Sequence, residues 1–167
     1  MPSSRNRGAL LHEADEVAVL PAGSLAGLMT DVFARGGSFR FTARGHSMHP
    51  FIRNGDVVTV SPLGARSPVA GDVVAFQHAG RSGLVLHRVR SRQGDRYLAQ
   101  GDNCRDPDGP IPGRDLLGVV TAVERAGRPI RLGLGPERRL LALLARLGVL
   151  APGVRAAATV RRRVRGR

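Results

Sequence analysis

Three short stretches of this 167-residue chain carry side chains that could do chemistry together. The first is Gly45-His46-Ser47-Met48-His49-Pro50, a serine between two histidines. The second is Leu84-Val85-Leu86-His87, a histidine at the end of an apolar run. The third is Gly101-Asp102-Asn103-Cys104-Arg105-Asp106-Pro107-Asp108-Gly109, which crowds three carboxylates onto nine residues. A serine becomes a nucleophile when a base takes its proton and N–H donors face the developing oxyanion. A base in turn works best when a third group orients it.

The choice of base is narrow. The chain holds 26 basic side chains besides histidine, and all of them are arginine. With no lysine, a base for Ser47 must be a histidine or a carboxylate. The histidines are His12, His46, His49, His78 and His87. Neighbours on an extended chain point to opposite faces, so His46 is badly placed to serve Ser47. His87 sits inside an apolar strand pattern, where a polar ring is costly without a partner. A lone strand histidine is more often a satisfied core group than a catalyst, and Asp-Pro-Asp-Gly is by itself a good turn sequence. Each stretch alone is a weak signal, and their order along the chain is the stronger one.

The elements that would position these residues read as mainly β. Ser38 to Arg44 alternates in strand fashion, and Asp56 to Ser61 forms a second strand pattern after Arg53-Asn54-Gly55. Ser47 therefore falls on a turn between two strands, where a side chain is held and still meets solvent. Further strands are expected at Val73–Gln77, Leu84–Arg90, Arg96–Gln100, Leu116–Val123 and Pro129–Leu134. A turn is expected around Gly80 to Gly83 and a long turn region over 101–114. Short strands with frequent Gly and Pro favour a small barrel or coiled sheet. Ahead of them, Glu16–Leu20 reads as a short strand. Leu25, Leu28, Met29, Val32 and Phe33 follow helical spacing over Ser24–Arg35, with Ser24 as cap and Gly36-Gly37 as stop. Glu137–Leu150 is a second helical pattern, rich in leucine and arginine, followed by the basic run Arg161-Arg162-Arg163-Val164-Arg165. The expected organisation is a leader over 1–13, a catalytic domain over 14–134 and an amphipathic, basic extension over 135–167.

Composition limits the function classes. Net charge is +13, so the surface attracts phosphate, on lipid or on nucleic acid. Aromatics are only 4%, which argues against stacking on single strands and against nucleic acid as the partner. One cysteine, Cys104, forbids an internal disulfide. His46 and His49 lack further ligands, so no metal or cofactor is expected. The N-terminal residues carry no apolar run of spanning length, and no signal peptide or transmembrane helix is expected. The expected location is cytoplasmic, with peripheral contact to anionic membrane through 137–167 as the second option.

In these motifs the chain resembles the catalytic domain of signal peptidase I, within the serine-peptidase superfamily that includes the LexA-type self-cleaving repressors. The matching pieces are Ser47-Met48-His49-Pro50, Asn54-Gly55-Asp56-Val57-Val58, Gly71-Asp72-Val73-Val74-Ala75-Phe76, His87-Arg88-Val89 and Gly101-Asp102-Asn103. They run in family order over about half of the chain. The resemblance is to the branch of archaeal and endoplasmic-reticulum type, where histidine replaces the lysine base. It implies Ser47 as nucleophile, His87 as general base, Asp108 as the support of His87 and Asp102 as a residue that shapes the site. It also implies substrate contacts at Met48 and Pro50, an extended peptide as substrate, and small side chains near the cleaved bond. Cys104 stands where that family has a second asparagine, and the usual N-terminal anchor is missing from the pattern. A LexA-like module that cleaves itself or only binds is the alternative.

Overall fold

The structure, a computed structural model, describes residues 22–65, 67–77 and 83–147. The expected leader, the strand at 16–20, most of the turn at 80–83, the end of the second helix and the basic run lie outside the described residues. Helix α1 spans Ala22–Ala34, so Ser24 falls two residues inside its start rather than at its cap. It ends as the glycine pair predicts. Gly36 takes φ 77°, its N–H bonds Phe33 O at 2.9 Å, and the Gly37 N–H reaches back to Val32 O at 3.1 Å. That crossed pair of bonds closes the helix and needs a left-handed residue at Gly36.

Eight strands follow, all paired antiparallel. They are β1 (Phe39–Thr42), β2 (Val57–Pro62), β3 (Val73–Gln77), β4 (Leu84–Gln93), β5 (Arg96–Gln100), β6 (Pro110–Pro112), β7 (Leu116–Arg125) and β8 (Arg128–Pro129). Their order across the sheet is β1-β2-β7-β3-β4-β5-β6, with β8 on β7. The sheet is open, with β1 and β6 at its two ends. The fold is thus mainly β with two helices, of the coiled-sheet kind rather than a closed barrel. The turn region at 101–114 holds the short strand β6 and leads into a single 3-10 turn at Gly113–Asp115. The strand expected at Pro129–Leu134 shrinks to two residues, because Leu134 and Gly135 turn back onto Arg131 O.

The central strand explains the two cores. On β3, Val73 and Ala75 face one cluster with Met29, Met48, Ile52, Val58, Val60, Val120 and Val123. Val74 and Phe76 face the other, with Val89, Tyr97, Ala99, Ile111 and Leu116. A strand buried on both faces reads as a continuous apolar run, as Val-Val-Ala-Phe does. Phe39 and Phe41 pack against the first cluster with rings 5.9 Å apart, as ordinary strand residues.

Helix α2 (Arg138–Arg146) lies against β4 and buries Leu141, Ala142 and Ala145, with Leu141 and Ala145 packed on Phe51. Polar contacts fix it there: Arg90 donates to Ala145 O at 2.6 Å, and Arg138 Nε stands 3.2 Å from Asp72 Oδ1. No helix among the described residues is long and apolar enough to cross a membrane.

Candidate active site

Ser47 lies in the loop that joins β1 to β2, and the loop is closed at its base. Ala43 N–H bonds Asp56 O, Gly55 N–H bonds Ala43 O, and Gly45 N–H bonds the Asn54 side chain. Inside, Phe51 and Ile52 N–H both turn back onto Met48 O. The His49-Pro50 peptide is cis. Met48 is buried among Met29, Ala43 and Ile52, so its side chain anchors the turn from below. Ser47 and Pro50 are half-buried, while His46 is exposed.

Beneath this loop sits a charge pair that sequence reading missed. Arg125 Nε donates to Asp56 Oδ1 at 2.8 Å and its NH2 to Asp56 Oδ2 at 2.7 Å, with Arg53 N–H on the same carboxylate. Arg125 also reaches Phe51 O at 3.2 Å. Burial alone would raise the Asp56 pKa, but the Arg125 hydrogen bonds, the Arg53 N–H and both positive charges hold it below the usual value. His49 is lowered from its ordinary value by burial and then by Arg53, His46 and Arg125.

His87 and Arg88 are consecutive on β4 and point to opposite faces. The His87 ring is buried, edge-on to Phe76 at 6.2 Å, and its Nδ1 is in hydrogen-bond contact with Asp108 Oδ2. An ionised carboxylate only accepts, so with Asp108 ionised the ring donates from Nδ1, and Nε2 is the nitrogen on the Gly101 side. Asp108 is delivered by its own backbone, whose N–H bonds Ala99 O on β5 at 2.9 Å.

Arg88 does something different. Its Nε and NH2 grip Asp102 in two parallel bonds of 2.8 Å, and both side chains are 1% exposed. Its NH1 donates to Gly71 O at 2.8 Å and Gly133 O at 2.7 Å, and Phe51 lies 5.6 Å under the guanidinium. Asp102 is therefore the partner of Arg88, and Asp108 is the carboxylate on the His87 ring.

The turn at Gly101 brings the pieces together. Arg88 pairs with Gln100 across β4 and β5, so Gly101 continues the chain past the end of β5 towards His87. A Cβ placed on Gly101 would stand 2.8 Å from Ser47 O, 2.9 Å from His87 Nε2 and 2.7 Å from Cys104 Sγ. The serine's backbone, the ring's second nitrogen and the thiol thus surround one point. Asn103 fastens the two loops: its N–H bonds Ser47 O at 2.7 Å and its side chain bonds His46 O at 3.3 Å. Gln100 holds the carbonyls of Cys104 and Arg105 at 2.8 and 2.9 Å. Neither Asn103 nor Gln100 stood out as a single residue, although Gly-Asp-Asn did as a motif. Ser47, His87 and Asp108 come together around Gly101, the Asp102 carboxylate turns to Arg88 on the other side of β4, and His46 is exposed. Among the described residues no group of three His, Cys, Asp or Glu side chains could hold a metal ion.

The mainly antiparallel β fold, with Ser47 on the turn between its first two strands, is consistent with the LexA and signal-peptidase superfamily of serine peptidases. The chain belongs to the Peptidase S24-like family, whose family model matches residues 17–120, more than half of its length. No curated protein matches it. Membership supports a peptidase-type activity in general, as a serine peptidase or as LexA-like self-cleavage, in a family that also has non-catalytic members.

Proposed function

We propose that the chain is a serine endopeptidase that cleaves an extended peptide segment of signal- or leader-peptide kind. Ser47 is the nucleophile, His87 the general base and Asp108 the group that orients the imidazole. The observation that carries this reading is the position of His87. Its Nδ1 engages Asp108 while its Nε2 and the Ser47 carbonyl lie against the same face of Gly101.

In the reaction, Ser47 Oγ attacks the peptide carbonyl and its proton passes to His87 Nε2. The imidazolium is stabilised by the Asp108 carboxylate. The tetrahedral oxyanion is held by backbone N–H at the Ser47 turn. Collapse breaks the C–N bond, and His87 gives its proton to the departing amine. Water, deprotonated by the same ring, then releases the acyl group from Ser47. Asp102 takes no proton; with Arg88 it holds the Gly101 turn in register. Pro50 and the half-buried rim of the loop contact the substrate, and Met48 supports them from the core. The β1 edge, next to Ser47 in the chain and unpaired on one side among the described residues, suits an added substrate strand.

The test is cleavage of a peptide library by wild type, Ser47→Ala and His87→Ala. Loss of cleavage in both variants is expected; full activity in either sinks the assignment. The S24-like match favours a second reading, cleavage of the chain's own backbone. Mass spectrometry of the incubated full chain distinguishes it, because wild type and not Ser47→Ala would then yield fragments.

A further inference from the structure

Helix α2 is apolar on two opposite sides. Residues advance by about 100° along a helix, so Leu141 and Ala145 form one stripe while Leu140, Leu143 and Leu147 fall on the far side. The first stripe is buried and packs with Phe51 of the Ser47 loop. The second is exposed: Leu140 by 55%, Leu143 by 49% and Leu147, the residue that ends the helix, by 65%. Leu132, in the loop that leads into α2, is 63% exposed. Of the five large hydrophobics exposed among the described residues, these are four; the fifth is Leu28. Apolar side chains scattered singly on a surface need no explanation, but a cluster on one segment does.

The sequence on either side of the stripe is cationic. Arg128, Arg131 and Arg139 are all exposed, and no acidic residue follows Glu137 in the sequence. Beyond the helix the sequence adds Arg155, Arg161, Arg162, Arg163, Arg165 and Arg167. Leucines alone would suit a second copy of the chain, and arginines alone would suit a nucleic acid. Leucines bordered by arginines fit a surface that is apolar below and anionic above.

We propose that α2 and the loop before it dock on an anionic lipid bilayer, with Leu132, Leu140, Leu143 and Leu147 entering the acyl boundary and the arginines meeting the headgroup phosphates. The helix lies in the interface and does not span it. Its inner side is already fixed to the protein by Arg138 on Asp72 and Arg90 on Ala145 O, so docking needs no unfolding. The same segment touches the candidate site: Gly133 O accepts from Arg88, and a Cβ on Gly133 would meet Phe51 Cβ at 2.9 Å. A docked α2 therefore holds the Ser47 loop close to the bilayer surface, where a membrane-bound peptide would present its cleavable segment.

The experiment is co-sedimentation of the full chain with vesicles of phosphatidylcholine alone and of phosphatidylcholine with one quarter phosphatidylglycerol. Wild type is expected to sediment with the anionic vesicles only. The triple variant Leu140→Ser/Leu143→Ser/Leu147→Ser, which changes exposed side chains, is expected to lose about tenfold or more in partition. Ser47→Ala should partition like wild type, which separates docking from catalysis. Three results overturn the proposal. Wild type stays in solution; or the triple variant, with unchanged circular dichroism, binds anionic vesicles as well as wild type; or wild type self-associates in sedimentation velocity and the triple variant does not, which gives the stripe to a second copy.

Discussion

The sharpest test of the site is one methyl group. Gly101→Ala adds a Cβ at the point where the Ser47 carbonyl, His87 Nε2 and Cys104 Sγ meet, at 2.8, 2.9 and 2.7 Å. Carbon and its neighbours prefer about 3.5–4.0 Å, so all three contacts are too short. The three neighbours differ in how they can yield. Cys104 Sγ is the end of a short side chain with one torsion. The Ser47 carbonyl is backbone, pinned by the Asn103 N–H at 2.7 Å. The His87 ring is held at its other nitrogen by Asp108. Relief therefore moves the Ser47 backbone or the His87 ring by on the order of half an ångström. Overpacking of this kind costs about 1–3 kcal/mol of stability. Misplacing reacting groups by about 1 Å costs around a hundredfold in rate.

The assay is kcat/KM on the best peptide from the library, alongside urea unfolding. Gly101→Ala should lose roughly 30- to 100-fold in kcat/KM, with a stability loss of about 1–3 kcal/mol. Adding Cys104→Ala removes the movable neighbour and leaves the two fixed ones, so the double variant should stay slow. Cys104→Ala alone should remain within about threefold of wild type, since the thiol has no role in the chemistry. If Gly101→Ala keeps wild-type activity and an unchanged urea midpoint, the turn does not lie between serine and histidine, and the proposed mechanism loses its main support.

Three further outcomes follow from the charges. Asp108→Asn should lower kcat by about a thousandfold or more with little change in KM, because an amide no longer favours the imidazolium and can turn the ring to the wrong tautomer; a loss under tenfold refutes that role. Arg88→Met leaves the Asp102 carboxylate and two carbonyls buried without a donor, so urea unfolding should register a loss of about 3–5 kcal/mol. Arg88→Met/Asp102→Leu should recover part of it, and an additive double variant would argue against a coupled pair. The third concerns acid. The folded Asp56 pKa lies below its ordinary 3.8, so its stabilisation is complete above that pH and is lost as pH falls through the folded value. Arg125→Met removes the main donor and leaves the carboxylate buried, so its stability should fall less steeply below pH 4, or rise; a slope equal to wild type in urea titrations at several pH values rejects the linkage.

Most of the sheet was legible because its longer strands carry period-two alternation, or a short apolar run where both faces are buried, between glycine-marked turns; β6 was not, since Pro110–Pro112 lies inside the expected turn region. Val73–Gln77 and Arg96–Gln100 coincide with their expected bounds. Leu84 to Arg90 was legible too, but the strand runs on to Gln93, because a hairpin's length is set by pairing with β5 and not by its own polarity. Pro129–Leu134 misled because its apolar residues, Ile130 and Leu134, pack into the core from a turn rather than a strand. Of the site, the stretches were visible and the pairings were not. Nothing in the spacing of Asp102, Asp106 and Asp108 tells which faces the imidazole. Strand geometry decides it: His87 and Arg88 face opposite ways, and each side of β4 receives a different carboxylate from one loop. The pair of Asp56 and Arg125, 69 residues apart, leaves no local trace at all.

Both ion pairs, Arg88–Asp102 fully buried and Arg125–Asp56 with its arginine side chain 29% exposed, sit under loops rather than under the sheet, and that placement has a physical reason. Replacing a buried ion pair by apolar groups of similar size often leaves stability unchanged or improved, so stability alone does not explain them. A bidentate guanidinium, however, fixes direction as well as distance. The Ser47 loop and the Gly101 turn have few ladder bonds to set their registers. Arg125 ties the first to Asp56 and Phe51 O; Arg88 ties the second to Gly71 O and Gly133 O through Asp102. Asn103 then joins the two loops directly. An apolar substitute could fill either space but would let its loop slide, and sliding by an ångström is what a serine and its base cannot tolerate. On this view Arg88→Met/Asp102→Leu should regain stability without regaining activity, and a double variant that is both stable and fully active would show that packing alone suffices.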